Sequence, residues 1–194
     1  MKRLSLYLFL ILFSFQTPSW ADDIRDFEIE GMSLGDSALD YFSENEIKNN
    51  TKKYYDDMTN FPFVAIEIYQ HSLFKNYSGV QFHVKKNDKK YKIYSISGYD
   101  FYDNDIKGCY KKQNEIDKEL SKIFKEAKRE YVSKRKHPDD ESGKSNVTYI
   151  VYWFKSGDYV SIDCTDWSSK MKPNEDNLGV MIVTKEFDDW TTRD

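Results

Sequence analysis

Six short segments rich in aromatic and β-branched residues constrain the fold more than any other feature of the sequence. Each is five to nine residues long and is bounded by polar stretches, which is typical of β-strands. In the second segment Val80, Phe82 and Val84 alternate with polar residues, so one face of that strand is expected to be buried. The predicted strands span residues 61–69, 80–84, 91–97, 147–154, 159–165 and 178–184.

Two stretches with apolar residues at helical spacing predict helices. The first begins near Ser33, which can form a capping-box-like pair with Asp36. The second and stronger one runs from about Lys111 to Val132, and its opposite face is mostly charged. The two apolar stripes consist of Leu34, Ala38, Leu39, Phe42 and Ile47, and of Ile116, Leu120, Ile123, Phe124, Ala127 and Tyr131.

The order of these elements predicts an α+β fold. Short connections between successive strands favour a mainly antiparallel sheet, with the two helices packed on it. A chain with 39% hydrophobic and 16% aromatic residues does not belong to the disordered class. We expect a single domain over residues 22–194 with the element order α-β-β-β-α-β-β-β.

The first twenty-one residues have the three-part pattern of a secretory signal peptide. Lys2 and Arg3 precede an apolar run over residues 4–15, and small residues lead up to Ala21. The run is too short for a spanning helix, which needs about 20 residues. We therefore expect cleavage after Ala21. The mature protein would be periplasmic or secreted and would not span a membrane.

The charge of the mature chain bears on its partners. Lys2 and Arg3 are the only charged residues of the signal peptide, so its removal leaves 27 basic and 33 acidic residues and a net charge of −6. This acidic excess argues against nucleic acid as a partner, because nucleic-acid-binding proteins need a clustered basic surface.

The two cysteines predict one disulfide bond. Cys109 starts the long predicted helix, and Cys164 faces inward at the end of its predicted strand. In the oxidising compartment that an exported protein reaches, a lone pair of thiols tends to bond. The bridge would tie the helix to the sheet across a loop of 55 residues. Two separate buried thiols are the alternative.

One short motif imitates an enzyme site. Residues 35–38, GDSA, resemble the Gly-Asp-Ser-Leu opening of a family of serine esterases, and His137 with the following proline resembles their His-Pro element. No buried strand precedes Ser37 to present it as a nucleophile, and Lys134 stands where those enzymes have an aspartate. We therefore interpret Ser37 as part of a helix start.

Another motif imitates a calcium loop. Asp103, Asp105 and Gly108 match positions one, three and six of an EF-hand. Two other ligand positions hold a lysine and an asparagine, so an acidic turn before the long helix is the favoured interpretation. Weak calcium binding by the two aspartates together with Asp100 stays open.

The sequence assigns no catalytic residue, no cofactor and no metal site. His71 and His83 lie on or beside neighbouring predicted strands, but two histidines alone make a poor zinc site. We expect both to be exposed histidines of the sheet.

The amino-terminal part carries a resemblance to other exported proteins. Residues 29–37, IEGMSLGDS, together with residues 39–42, LDYF, resemble the opening of uncharacterised exported proteins of marine bacteria, and residues 91–98 are also similar to that group. Residues 31–33 before a helix are distantly similar to the start of BamE/SmpA-like small envelope lipoproteins. Their helix-then-three-strand unit, and that of β-lactamase-inhibitor-like proteins, is similar to each half of this chain. The lipobox cysteine and the Leu-Gly-x-Pro turn are missing, so the resemblance implies no functional residue.

Two functions from different classes fit the sequence. The first is a non-enzymatic binding or envelope-associated protein, whose partner would be a protein or small molecule of the cell envelope. The second is a hydrolase with a site that is not recognisable from sequence. Because no motif occurs in the context that it requires, the sequence favours binding. An open sheet with an exposed aromatic patch would support binding, and a pocket joining Ser37 to His137, or several converging acids, would support catalysis.

Overall fold

The computed structural model describes residues 24–55, 60–103 and 105–192. The predicted signal peptide, residues 1–21, lies outside them. Within the described residues the chain forms an eight-stranded antiparallel sheet and three α-helices, which confirms the α+β class. None of the helices in this part of the chain is both long and apolar enough to cross a membrane.

The strands follow one another along the chain through connections of five to ten residues, apart from the longer connection between residues 101 and 128 that contains a helix. They are β1 (Thr51–Lys52), β2 (Phe63–Tyr69), β3 (Gly79–Lys85), β4 (Ser95–Phe101), β5 (Lys128–Lys136), β6 (Asn146–Trp153), β7 (Tyr159–Asp166) and β8 (Asn177–Val183). The helices are α1 (Glu44–Asn49), α2 (Ile106–Ile123) and α3 (Lys185–Thr191). In the sheet the strands follow the order β1-β2-β3-β4-β8-β7-β6-β5.

The first helix begins later than the sequence predicts. Ser33 donates its backbone N–H to Asp36 Oδ2 at 2.9 Å, but the pair closes a turn rather than a helix. The reason is Gly35, which has a φ of 94°, outside the helical region. Helix α1 follows Ser43, which forms a complete capping box with Glu46.

The predicted order α-β-β-β-α-β-β-β is wrong because α2 ends at Ile123 and an additional strand follows it. Strand β5 pairs along one side with β6 and forms an edge of the sheet. An edge strand can carry charged residues along its length, so it lacks the apolar signal of a central strand. Ala127 and Tyr131 matched the helical spacing by chance, and Tyr131 is 57% exposed.

Two further elements differ from the prediction. Strand β4 lies four residues further along the chain than the predicted segment 91–97. The polar tail forms the short helix α3. Thr184 caps the start of this helix, because its hydroxyl oxygen accepts the backbone N–H of Phe187 at 3.2 Å. The Phe187 ring packs edge-to-face on Phe63, with 5.2 Å between ring centroids. So short a helix is stabilised mainly by tertiary packing, which a sequence pattern does not show.

The main core lies on one face of the sheet. Helix α2 covers β7 and β8 on this face, and residues of the amino-terminal segment pack on the same core. One row of buried side chains runs straight across six neighbouring strands and consists of Ile66, Phe82, Ile96, Ile182, Val160 and Tyr152.

The two cysteines meet within this core. Cys109 on α2 and Cys164 on β7 are fully buried and lie at disulfide-bonding distance, with Cα atoms 6.0 Å apart. The structure therefore brings together the pair that the sequence selects, and it places the link where α2 crosses the sheet.

Candidate functional site

The opposite face of the sheet carries an open groove with a volume of about 870 Å³. Tyr54 and Tyr55 stand at one end, and His137 and Trp167 stand at the other. Pockets that hold small ligands typically have volumes of roughly 300–1,000 Å³ and are lined by aromatic residues with a few polar groups. The groove falls within this class by size, and its lining combines aromatic rings with a larger share of acidic, amide and hydroxyl side chains.

The floor of the groove is a row of tyrosines, glycines and one aspartate that crosses the sheet. Residues in the row lie directly opposite one another on adjacent strands, where neighbouring strands are about 4.8 Å apart. From β2 to β6 the row reads Tyr69, Gly79, Tyr99, Gly179, Asp163 and Tyr149. The row therefore places one carboxylate among aromatic rings near the middle of the face.

Gly179 explains how Tyr99 and Asp163 come together. A Cβ atom at this position would lie 3.1 Å from Tyr99 Cε1 and 3.7 Å from Asp163 Oδ2. The ring and the carboxylate therefore both reach over the bare backbone of Gly179. A glycine inside a strand often marks such a close approach. The sequence supplies it here at the centre of the groove.

Asp163 is the group with the most unusual environment. Its side chain lines the groove, the residue is only 8% exposed, and its Oδ1 atom has no hydrogen-bond partner in the protein. Burial raises the pKa of Asp163 to about 7. Ser161, on the same face, partly opposes this pKa shift, although its hydroxyl does not make a hydrogen bond of good geometry to the carboxylate.

Other buried polar atoms without partners lie on the same face of the sheet. Within the described residues they are Ser97 Oγ, Ser161 Oγ and His83 Nδ1, in addition to Asp163 Oδ1. The two serines lie directly opposite Met181 on either side. A buried polar group without a partner destabilises a fold by about 1–3 kcal/mol. All four atoms lie on the groove face, next to a small apolar cluster that includes Phe63 and Phe187.

Three further carboxylates line the groove, at Glu67, Asp139 and Glu175. Glu67 is already engaged, because it accepts hydrogen bonds from Gln81 Nε2 at 2.6 Å and from the Tyr54 hydroxyl at 2.8 Å. In the part of the chain that the structure describes, no Lys or Arg lines the groove. The lining is therefore acidic and aromatic.

A buried aspartate holds one wall of the groove in place. Asp140 accepts hydrogen bonds from the Ser145 hydroxyl at 2.6 Å and from the Ser168 hydroxyl at 2.9 Å. Together with hydrogen bonding to Ser142, which has the largest effect, these bonds hold the pKa of Asp140 well below its usual range. They link the loop before β6 to the segment after β7, and His137 packs on Trp167 there with 4.1 Å between ring centroids.

The esterase-like residues do not form a site. The Ser37 hydroxyl donates to the backbone carbonyl of Lys90 at 2.6 Å and accepts from the N–H of Leu39, so it caps a short 3-10 helix. His137 lies in the wall of the groove, and Ser37 does not line that groove. The interpretation of Ser37 as a helix-capping residue agrees with this geometry.

Two of the three calcium-like aspartates accept hydrogen bonds within the protein. Asp105 accepts the N–H of Gly108 at 3.0 Å and caps α2. Asp100 accepts the N–H and the hydroxyl of Ser78 at 3.1 and 3.0 Å. Asp103 lies in the turn before α2. Among the described residues, no three His, Cys, Asp or Glu side chains converge as metal ligands.

The expectation that both histidines are exposed is wrong, because His71 is half-buried and His83 is buried. His83 is 4% exposed, its Nε2 lies 3.1 Å from the Tyr55 hydroxyl, and burial lowers its pKa to about 3. His71 lies against Phe42, on the core side of the sheet. Because His83 alternates with the core residue Phe82, the two histidines belong to opposite faces.

No sequence pattern singles out Asp163, Tyr99 and Gly179 as site residues. A signal for Asp163 was present, since Val160, Ile162 and Cys164 occupy one face of the strand and leave Ser161, Asp163 and Thr165 on the other. What no pattern shows is that Tyr99 and Gly179, 80 residues apart, lie opposite each other in the sheet.

Comparisons with known proteins add no assignment. No family model matches the chain, and no curated protein or solved structure matches it either. The resemblance to exported proteins of marine bacteria and to small envelope lipoproteins therefore stays a prediction.

Proposed function

We propose that this chain is an exported, non-enzymatic binding protein that holds a small molecule in the groove. The observation that carries the proposal is Asp163, a buried carboxylate with an unpartnered oxygen at the centre of an aromatic-lined groove. Export is part of the proposal and depends on the amino-terminal signal pattern and on the cysteine pair at bonding distance.

The aromatic and the polar residues of the lining would make different contacts with a ligand. Tyrosine and tryptophan rings supply apolar contact area, and a few polar groups orient the ligand. Tyr69 and Tyr99 lie low over glycines of adjacent strands, which leaves space above them. Thr165 and Asn177 lie in the neighbouring row and add hydrogen-bonding groups to the floor.

A pair of tyrosine variants tests this function. Tyr99→Ala removes a ring from the groove, whereas Tyr131→Ala removes an exposed ring from the edge strand β5. The purified proteins are dialysed to equilibrium against a small-molecule extract of the producing cell's envelope, and bound compounds are measured by mass spectrometry. We expect at least one compound to be enriched by the wild type and by Tyr131→Ala. Tyr99→Ala should retain it about tenfold more weakly, which corresponds to the roughly 1.4 kcal/mol of one well-packed contact residue.

Two results contradict the proposal. One is enrichment of no compound by the wild-type protein. The other is equal enrichment by Tyr99→Ala and wild type, since the compound would then bind elsewhere. Circular dichroism of both variants checks that the fold is retained.

Acid–base hydrolysis is the second candidate function, and the raised pKa of Asp163 favours it. A carboxyl group with a pKa of about 7 can both donate and accept a proton near neutral pH. If the protein is a hydrolase, Asp163→Asn should abolish turnover of its substrate. Ser37→Ala should leave turnover unchanged, because Ser37 only caps a helix. If the protein only binds its ligand, a panel of ester, glycoside and amide substrates should show no turnover above buffer with the wild type.

A further inference from the structure

The groove carries an excess of negative groups, and this excess favours some classes of ligand over others. Four carboxylates line the groove, and no Lys or Arg does within the described residues. One of the four, Glu67, is paired from outside the lining by Lys52 Nζ at 3.6 Å, so three carboxylates have no such cation in the described part of the chain. Burial lowers the pKa of His137, and burial lowers that of His83 to about 3, so neither imidazole supplies a positive charge at neutral pH. Burial and the charge of Asp163 raise the pKa of Tyr149, and Arg135 on β5 opposes this shift but does not line the groove.

Asp163 lacks the partner that a buried charge needs. A buried carboxylate is stable only when it is paired or well hydrogen-bonded, because removing it from water destabilises the ionised form strongly. Its neighbours on this face are the hydroxyls of Ser161 and Thr165 and the residues directly opposite, Tyr149 and Gly179. None of them is a cation, and Oδ1 has no hydrogen-bond donor within the protein.

Aromatic rings stand close to this carboxylate. Tyr99 and Asp163 both reach over Gly179, and Tyr149 lies directly opposite Asp163 on the other side. The face of a tyrosine ring attracts a cation within about 6 Å of its centre. A positively charged group over Gly179 would therefore meet a carboxylate and a ring at the same point.

We infer that the groove binds a small organic cation, with an ammonium or guanidinium group beside Asp163 above Gly179 and with its carbon skeleton against Tyr99 and Tyr149. This inference rests on the proposed binding function and specifies its ligand class. An ammonium group donates hydrogen bonds and carries the charge that Asp163 lacks. A neutral ligand could fill the groove but would leave the carboxylate without a counterion.

The inference implies that binding strengthens as the pH rises. Asp163 must be ionised to attract the cation, and below its pKa of about 7 it is mostly neutral. The apparent affinity is reduced by the fraction of protein that is not ionised, so raising the pH from 5 to 8 should strengthen binding by about 10- to 100-fold. Glu67, Asp139, Glu175 and His137 face the same groove, and the Asp163→Asn variant retains them all, so it separates their contribution from that of Asp163.

A matched panel of ligands tests the inference. The panel consists of aliphatic and arylalkyl monoamines, diamines and guanidines, each paired with the alcohol and the carboxylic acid of the same skeleton. Binding to the full-length exported protein is measured by isothermal titration calorimetry at pH 5 and pH 8. We expect one or more cations to bind at least tenfold more tightly at pH 8 than their alcohols, and the acids not to bind. In Asp163→Asn, affinity for the cation should fall at least tenfold at pH 8 and lose most of its pH dependence.

The outcomes that overturn the inference differ from those that overturn the binding function. The inference fails if alcohols bind as tightly as amines, if Asp163→Asn binds the cation like the wild type, or if no cation of the panel binds. In each case the dialysis experiment with Tyr99→Ala decides separately whether the groove binds a different class of compound. Unfolding curves of Asp163→Asn confirm that a loss of affinity does not come from a loss of folded protein.

Discussion

Replacing Asp163 by Asn is expected to stabilise the protein at pH 8 by up to about 4 kcal/mol and to change its stability little at pH 4. The pKa of this carboxyl is raised from 3.8 to about 7 in the folded protein, and each pKa unit corresponds to about 1.4 kcal/mol. Because the folded state holds the proton more tightly, ionisation favours unfolding. The destabilisation grows as the pH rises from about 4 to about 7 and is fully present above that.

Chemical denaturation of the wild type and Asp163→Asn across this pH range measures the effect. Asp139→Asn is the matched control, because the Asp139 side chain lies in the same groove but is 75% exposed. We expect no pH-dependent gain in that variant. A wild type that is as stable as Asp163→Asn at pH 8 would show that Asp163 is not buried as a carboxylate. A gain would mean that the fold tolerates an unfavourable group in the groove, which is characteristic of functional sites.

Removing the predicted disulfide is expected to destabilise the protein by a similar amount. Replacing Cys109 and Cys164 together by Ser should lower the free energy of unfolding by about 4 kcal/mol, since the bond closes a loop across 55 positions and restricts the unfolded chain. This is a large fraction of the roughly 5–15 kcal/mol that stabilises a typical domain. The double variant avoids leaving a lone thiol in the core.

Two measurements check this prediction. Equilibrium unfolding of the wild type and the double variant gives the free-energy difference. Mass spectrometry after alkylation under denaturing conditions should find no modified cysteine without reductant and two with it. Two alkylated thiols without reductant, or equal stability of the two proteins, would contradict the bond.

Local sequence patterns were sufficient to predict most of the strands of the sheet. Strands β2, β3, β6, β7 and β8 lie within two residues of the predicted segments, because short runs of aromatic and β-branched residues, with or without alternation, are a local property of the sequence. The prediction failed at β5, where a charged sequence becomes a strand by pairing with β6. It failed again at Ser33, because the positive φ of Gly35 does not allow a helix to start there.

The candidate site shows a second limit of prediction from the sequence. The polar residues at 161, 163 and 165 were visible as one face of a strand, but exposed polar residues on a strand are ordinary. Asp163 becomes unusual only because β7 lies in the interior of the sheet, between β6 and β8. Neighbouring side chains then exclude water from its carboxylate, and the same pattern on an edge strand would leave it solvated.

By itself the sequence determined the α+β class and the strands with regular alternation. It also determined which two cysteines meet in the core and that the esterase motif lacks its structural context. These depend on periods of two or 3.6 residues and on the chemistry of single side chains. The tertiary structure alone decided that the groove forms on the face opposite α2 and which residues meet there. Tyr99, Asp163 and Gly179 are far apart in the chain, and only the order β4-β8-β7 and the register of those strands bring a ring and a carboxylate together over one glycine.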